Sequence, residues 1–380
     1  MLRHLPPDPP INPPLTTPPA EQTPPPPRIL KLRTPAMDVS IETENLTKIF
    51  RVRRFPYLAT REIAAVDRIS LAVPRGTSFG LLGPNGAGKT TFVKMLLSAV
   101  HPTAGIARIF GRDARVHEAR RSVGYLPENH RFPTYFTGYG MLDFYAALSG
   151  VPAAERRRRI PEMLERVGLS GWDAMRIGKY SKGMLQRLGL AQAMLHTPDL
   201  LILDEPSDGV DPVGRRHIRE ILSELEQRGT TIFLNSHLLV EVELFCREVA
   251  ILHRGRVALT GEVKALTAGK GYRLTASDVP DRLRETLAAR ASAVAAKNGH
   301  VDFQFPDRDE ANSALDLLRA ERCPIESLTQ TTSTLEDVFV RTVEAHRAAT
   351  GVEQTAHEPA LPAPPAGSVV RDLPEAGTKQ

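Results

Sequence analysis

The stretch Gly83-Pro84-Asn85-Gly86-Ala87-Gly88-Lys89-Thr90 sets glycines, a lysine and a hydroxyl at the spacing G-x-x-x-x-G-K-[ST]. Glycines let a loop curl until successive backbone N–H groups converge. At a helix N-terminus such a nest binds phosphate, because the unpaired donors and the helix dipole both favour negative charge. Lys89 can reach β- and γ-phosphates, Thr90 can offer its hydroxyl to Mg2+, and Thr91 follows in the same turn. Apolar Thr77–Leu82 is expected to be the strand entering this P-loop, and Lys89–Leu97 the helix leaving it.

Two further stretches suit the same ligand. Leu200-Leu201-Ile202-Leu203 reads as a buried strand, and Asp204-Glu205 at its carboxyl end would point into the crevice where open α/β sheets bind ligands. Asp204 can hold the water shell of Mg2+, and Glu205 is placed to polarise an attacking water. His237 follows the next strand, Thr231–Leu234, through Asn235-Ser236; a parallel strand ending beside Asp204 would bring it within reach of a γ-phosphate. The octet Tyr180-Ser181-Lys182-Gly183-Met184-Leu185-Gln186-Arg187 contains no acid, histidine or thiol. By itself it is an ordinary helix start.

These loops need a sheet to hold them in register. Short apolar runs alternate with helical patterns, including one at Val213–Leu225, which argues for an α/β fold with a mainly parallel sheet. After about residue 271 the pattern changes. Tyr272–Ala276 reads as a strand, Leu283 and Leu287 mark a helix, and Ser292–Ala296 and His300–Phe305 flank the hairpin signal Asn298-Gly299. Ala311, Ala314, Leu315 and Leu318 share one helix face, and Pro324–Leu328 supplies a last strand, giving a small βαββαβ α+β domain.

Composition limits the rest. Of 380 residues, 41% are hydrophobic and 24% charged, enough to bury a core or two, the length suggests two or three folded units, and the net charge of +5 argues only weakly for an anionic partner. Residues 1–36 hold 13 of the 32 prolines and are expected to stay extended and disordered, with Met37 either the true start or the end of a dispensable tail. The Ala-, Pro- and Glu-containing end reads as a second disordered tail. No run approaches 18 apolar residues and the N-terminus has prolines where a secretory signal needs an apolar stretch, so a membrane-spanning or secreted chain is not expected. Cys246 and Cys323 lack disulfide-framework or zinc spacing, which fits a reducing cytosol. Arg156–Arg159 opens a helix with Ile160, Met163, Leu164 and Val167 on its apolar side, so a solvated basic face is expected there.

In order and type, these motifs resemble the ATP-binding cassette ATPases over about residues 38–265. GPNGAGKTT is similar to that family's Walker A, LLILDEP to its Walker B, Asp208–Pro212 to its D-loop and Ser236-His237 to its switch histidine. The octet aligns with the signature LSGGQ. YSKGM in its place, GYLPEN at Gly124–Asn129 and LEDVF at Leu335–Phe339 look like the exporter branch whose permeases are called ABC-2 type.

The resemblance implies a P-loop cassette with a parallel core, an antiparallel β subdomain and a helical signature subdomain. Expected boundaries are 37–268 for the cassette, 269–347 for the small domain and 348–380 for the tail. It implies ATP and Mg2+ as cofactors, the cation held by Thr90, Asp204 and Glu128, where Glu128 stands in place of the usual Q-loop glutamine. Glu205 and His237 become the catalytic pair. Ser181, Lys182, Gly183 and Met184 would face a nucleotide held by a second subunit, most simply another copy of the chain; Lys182 replaces a glycine and would add a cation near the γ-phosphate. Phe50 is the best match for the aromatic that stacks on adenine, with Phe55 and Tyr57 as rivals across an insertion at 51–62 and a core role as the alternative.

The implied setting is cytoplasmic, peripheral on the membrane through an ABC-2 type integral permease, with no specific nucleic acid bound. The alternative is a soluble cassette ATPase serving ribosomes, repair or assembly. Ribosomal members generally carry two cassettes and repair members a long coiled coil before the signature, and neither is visible here.

Overall fold

A computed structural model describes residues 38–54, 59–269, 271–297, 299–331 and 333–350. The segment 1–36, Met37, Phe55, Tyr57, Asn298 and the segment 351–380 lie outside these. The chain opens with a long antiparallel hairpin, β1 (Val39–Arg54) and β2 (Ala59–Pro74). Of the residues read as an insertion, 51–54 pair with 59–62 in these two strands, with Arg51 opposite Glu62. Next, β3 (Ser78–Leu82) runs into the P-loop and α1 (Lys89–Leu96), after which β4 (Ala104–Ile109) and β5 (Arg112–Asp113) return to complete a sheet ordered β2-β1-β4-β5.

A short helix, α2 (His117–Arg120), leads into β6 (Val123–Leu126), and three longer helices follow: α3 (Gly138–Leu148), α4 (Ala153–Arg166) and α5 (Lys182–Met194). Each start has a local cause. Thr137 accepts the Gly140 N–H to cap α3, and Ser181 accepts the Met184 N–H to cap α5. In α4, Ile160 and Leu164 are buried while Arg156 pairs with Asp143, Arg158 with Glu162 and Arg159 with Glu155, so the basic run is an ion-paired face.

The chain then alternates through β7 (Leu200–Asp204), α6 (Pro212–Gln227), β8 (Thr231–Asn235), α7 (Leu239–Phe245), β9 (Glu248–His253), β10 (Arg256–Glu262) and α8 (Val263–Thr267). The second sheet has the order β10-β9-β3-β8-β7-β6, parallel except for the β9–β10 hairpin. Every residue of β3, β7 and β8 is buried. Both faces are covered, which is why these strands are almost continuously apolar. Leu201 and Leu203 of β7 join one core, with the α3–α5 helices, while Leu200 and Ile202 join the other, with α1 and the antiparallel sheet.

The small domain is built from β11 (Gly271–Ser277), α9 (Asp281–Ala288), β12 (Ala293–Lys297), β13 (His300–Phe305), α10 (Arg308–Ala320) and β14 (Ile325–Thr331). Its antiparallel sheet is ordered β12-β13-β11-β14 and encloses a separate core around Phe303 and Phe305. The last helix, α11 (Leu335–Thr350), leaves that domain and returns to the cassette. Leu335 is fully buried in the cassette core, its N–H donates to Glu243 Oε2 at 2.8 Å, and His346 meets His253 Nδ1 to Nδ1 at 2.9 Å. Cys246 and Cys323 are buried free thiols. Among the described residues no helix is long and apolar enough to cross a membrane.

Candidate active site

Four neighbouring strands, β3, β8, β7 and β6, are parallel, so their carboxyl ends come out along one edge of the sheet. In that order they deliver Gly83–Thr90, Asn235–His237, Asp204-Glu205 and Glu128. Sheet topology thus joins residues far apart in sequence.

The P-loop depends on a left-handed residue at its end. Gly88 has φ 101° at the N-cap of α1, and a Cβ there would lie 2.2 Å from the Ala65 carbonyl oxygen of β2. Only glycine fits. Lys89 Nζ donates to the Gly83 carbonyl at 2.6 Å. Burial lowers its pKa, while the charges of Glu205, Asp204 and Glu128 work to raise it.

Asp204 is 2% exposed, and its Oδ1 accepts from Asn235 Nδ2 at 2.5 Å across the β7–β8 register. Burial pushes its carboxyl up to about 6, the charges of Glu128 and Glu205 add to this, and the Asn235 bond and Lys89 oppose it. A folded-state value above the ordinary 3.8 means that the native protein holds this proton longer than the unfolded chain does. Stability from Asp204 is therefore present below about pH 4 and is lost as pH rises through about 6. The nucleotide-free Asp204→Asn variant should lack that loss: its urea midpoint, relative to the parent's, should rise between pH 4 and 6. A pH-independent difference would contradict the assignment.

Glu205 has φ 52°, a left-handed conformation uncommon for a residue with a side chain and costing on the order of 1–3 kcal/mol. The turn aims its carboxylate at the end of β8. There Oε1 accepts the His237 N–H at 2.8 Å and lies 2.7 Å from His237 Nδ1, while the Ser236 hydroxyl donates to Oε2 at 3.2 Å. Because a carboxylate only accepts, Nδ1 carries the proton and Nε2 faces outward. The His237 side chain is 58% exposed and that of Glu205 only 10%, so the pair has one buried and one open end.

The signature residues stand at the start of α5, tied to the loop after Glu205. Ser181 caps α5, with Gly183 and Met184 in its first turn. Lys182 Nζ pairs with Asp208 of the same chain at 2.8 Å, and its side chain stays largely exposed. Phe50 is paired to Ile63 in the hairpin, two residues before the Ala65 that touches Gly88. Its ring is 38% exposed with Lys48 Nζ 5.2 Å from the centroid, so it is not a core residue. Asn235, Ser236 and Gln186 were missed as functional candidates. The first two flank His237, and that adjacency was the available signal.

The profile of the family described as ABC transporter matches residues 66–208, and that of the ATP-binding protein DrrA1-3-like, C-terminal domain, matches residues 260–343. The bacitracin transport ATP-binding protein BcrA of Enterococcus faecalis is 40% identical, covering 64% of this chain and 76% of its own length. The chain belongs to the ABC transporter ATP-binding proteins. The Nod factor export ATP-binding protein I of Burkholderia thailandensis is 36% identical over 73% of this chain and 91% of its own. A solved ATP-binding subunit of an ABC transporter superposes with a TM-score of 0.53 at 30% identity, over 60% of this chain and 91% of the other. As an ABC transporter ATPase the chain binds and hydrolyses ATP, and the expected P-loop α/β cassette is the one observed.

Proposed function

We propose that this ABC ATPase powers export through an ABC-2 type permease and sits on the cytoplasmic face of the membrane by docking on it. The named transport and export roles of the relatives and the 335–339 sequence support this reading. Two copies of the chain would meet head to tail. Each nucleotide then lies between Gly83–Thr91 of one copy, with Phe50 against the adenine, and Ser181–Met184 of the other. A helix N-terminus with a hydroxyl and no acid in its own first turn is suited to a γ-phosphate.

The observation that carries the chemistry is the Glu205–His237 pair on the strand edge that also holds Lys89 and Asp204. Lys89 leaves the Gly83 carbonyl to bind the β- and γ-phosphates. Glu205 accepts the proton of the attacking water; its left-handed backbone and its bonds to Ser236 and His237 fix the carboxylate before substrate arrives. His237 presents Nε2 at the open end of the pair, where it can bond a phosphate oxygen.

The donor set also fits Mg2+. A carboxylate made reluctant to ionise by burial, and further by two neighbouring acids, is relieved by a hard cation. Among the described residues no three His, Cys, Asp or Glu side chains form a metal cage, so Thr90, Asp204 and Glu128 would share the ion with phosphate oxygens and water. Bound there, it would neutralise phosphate charge.

The partner assignment is tested by purifying tagged chain from detergent-solubilised membranes. An integral protein should co-purify in fixed ratio; recovery with ribosomes or nucleic acid instead would overturn the export reading.

A further inference from the structure

Gln186 is the one polar side chain of α5 buried almost completely, at 3% exposure. A buried amide is costly unless it is bonded, and this one has a specific partner. Its Nε2 donates to the main-chain carbonyl of Glu205 at 2.9 Å. The same carbonyl accepts the Asp208 N–H at 3.2 Å, and the Glu205 N–H donates to the Asn235 carbonyl at 2.9 Å. Three bonds therefore hold the main chain on both sides of a left-handed residue. Two of them come from the backbone of the same turn and from β8, and only the Gln186 bond comes from another helix. Lys182 to Asp208 and Arg187 to Asp211, at 3.7 Å, fasten that helix along the loop that follows.

We propose that Gln186 is a positioning residue for catalysis, holding the main chain of Glu205 so that its carboxylate points at the attacking water. The inference rests on the reading of Glu205 as general base. Gln186 touches no reacting atom; it acts through the φ of Glu205, and a small rotation there swings the carboxylate at the end of its side chain. A misaimed base lowers the rate of the chemical step and leaves phosphate binding by Gly83–Thr90 untouched.

Gln186→Met keeps nearly the same volume and removes both amide donors, while Asp208 still bonds the carbonyl. In the full-length dimer kcat should fall about tenfold, equivalent to about 1.4 kcal/mol. KM for ATP and the thermal midpoint should stay near the parent's values, which is the signature of an interaction acting only in the chemical step. Gln186→Asn, whose shorter amide does not reach, should lose as much. Because the effect runs through Glu205, adding Gln186→Met to Glu205→Gln should not slow single turnover further.

A kcat within twofold of the parent for both variants overturns the proposal. So does a fall in ATP affinity as large as the fall in kcat, or a further loss in the double variant. Normal turnover by Glu205→Gln alone would instead sink the assignment of Glu205, a result separable from any behaviour of Gln186.

Discussion

Glu205→Gln should lower steady-state ATP turnover by about 10²–10⁴-fold, the usual contribution of a positioned general base. The substitution preserves shape. Oε1 can still accept the His237 N–H, and the new amide can donate to the Ser236 hydroxyl that formerly donated to it, so the turn and its left-handed φ have no cause to relax. What disappears is the group that takes the water's proton. Its negative charge, which opposes phosphate entry beside Asp204 and Glu128, also goes. ATP affinity should therefore hold or rise. A ligand bound between two subunits and no longer hydrolysed stabilises the assembly by mass action, so dimer should accumulate with Mg·ATP in light scattering. A variant that stays monomeric at saturating ATP and releases phosphate at the parent rate would remove Glu205 from the mechanism.

Residues that specify local backbone were the readable part of this chain. The glycine spacing of 83–88 gives the nest, the continuous apolar runs at 78–82, 200–203 and 231–234 give central strands covered on both faces, and the hairpin signal in the sequence at 298–299 agrees with the antiparallel pairing of β12 with β13. Periodicity reports the faces of an element, not which partner a particular side chain finds. Lys182 illustrates the limit: its charge invited a phosphate, and its pairing with Asp208, 26 residues on, is visible only in the fold. Gln186 reads as one more polar helix residue until the carbonyl of Glu205 appears beside it. The φ of Glu205 was equally hidden, because left-handed backbone is signalled by glycine and here a tertiary clamp imposes it on a residue with a side chain. For α11 only the LEDVF motif was legible, and that the helix packs against β9, β10, α7 and α8 depends on the path of the whole chain.

The signature turn at Ser181 leads to the other large effect, a test that separates a site shared between subunits from one completed within a single chain. Ser181 caps α5, and its neighbours are tied to the loop after Glu205, while Lys89 bonds within the P-loop. Lys89→Ala removes the phosphate cation, and Ser181→Arg fills the signature with a bulky side chain. A chain carrying both changes should be inactive as a homodimer. Mixed one to one with the parent chain and allowed to exchange, it should form half mixed dimers. If sites are shared, both sites of a mixed dimer are dead, since each joins a good half to a bad one; activity then falls to about a quarter of that of the same total amount of parent, carried by the parent homodimers alone. If each chain completed its own site, every parent chain would stay active in either pairing and about half would remain. The two outcomes differ twofold at equal mixing and diverge further as the double variant is added in excess, where shared sites make the loss quadratic in the parent fraction and self-contained sites make it linear.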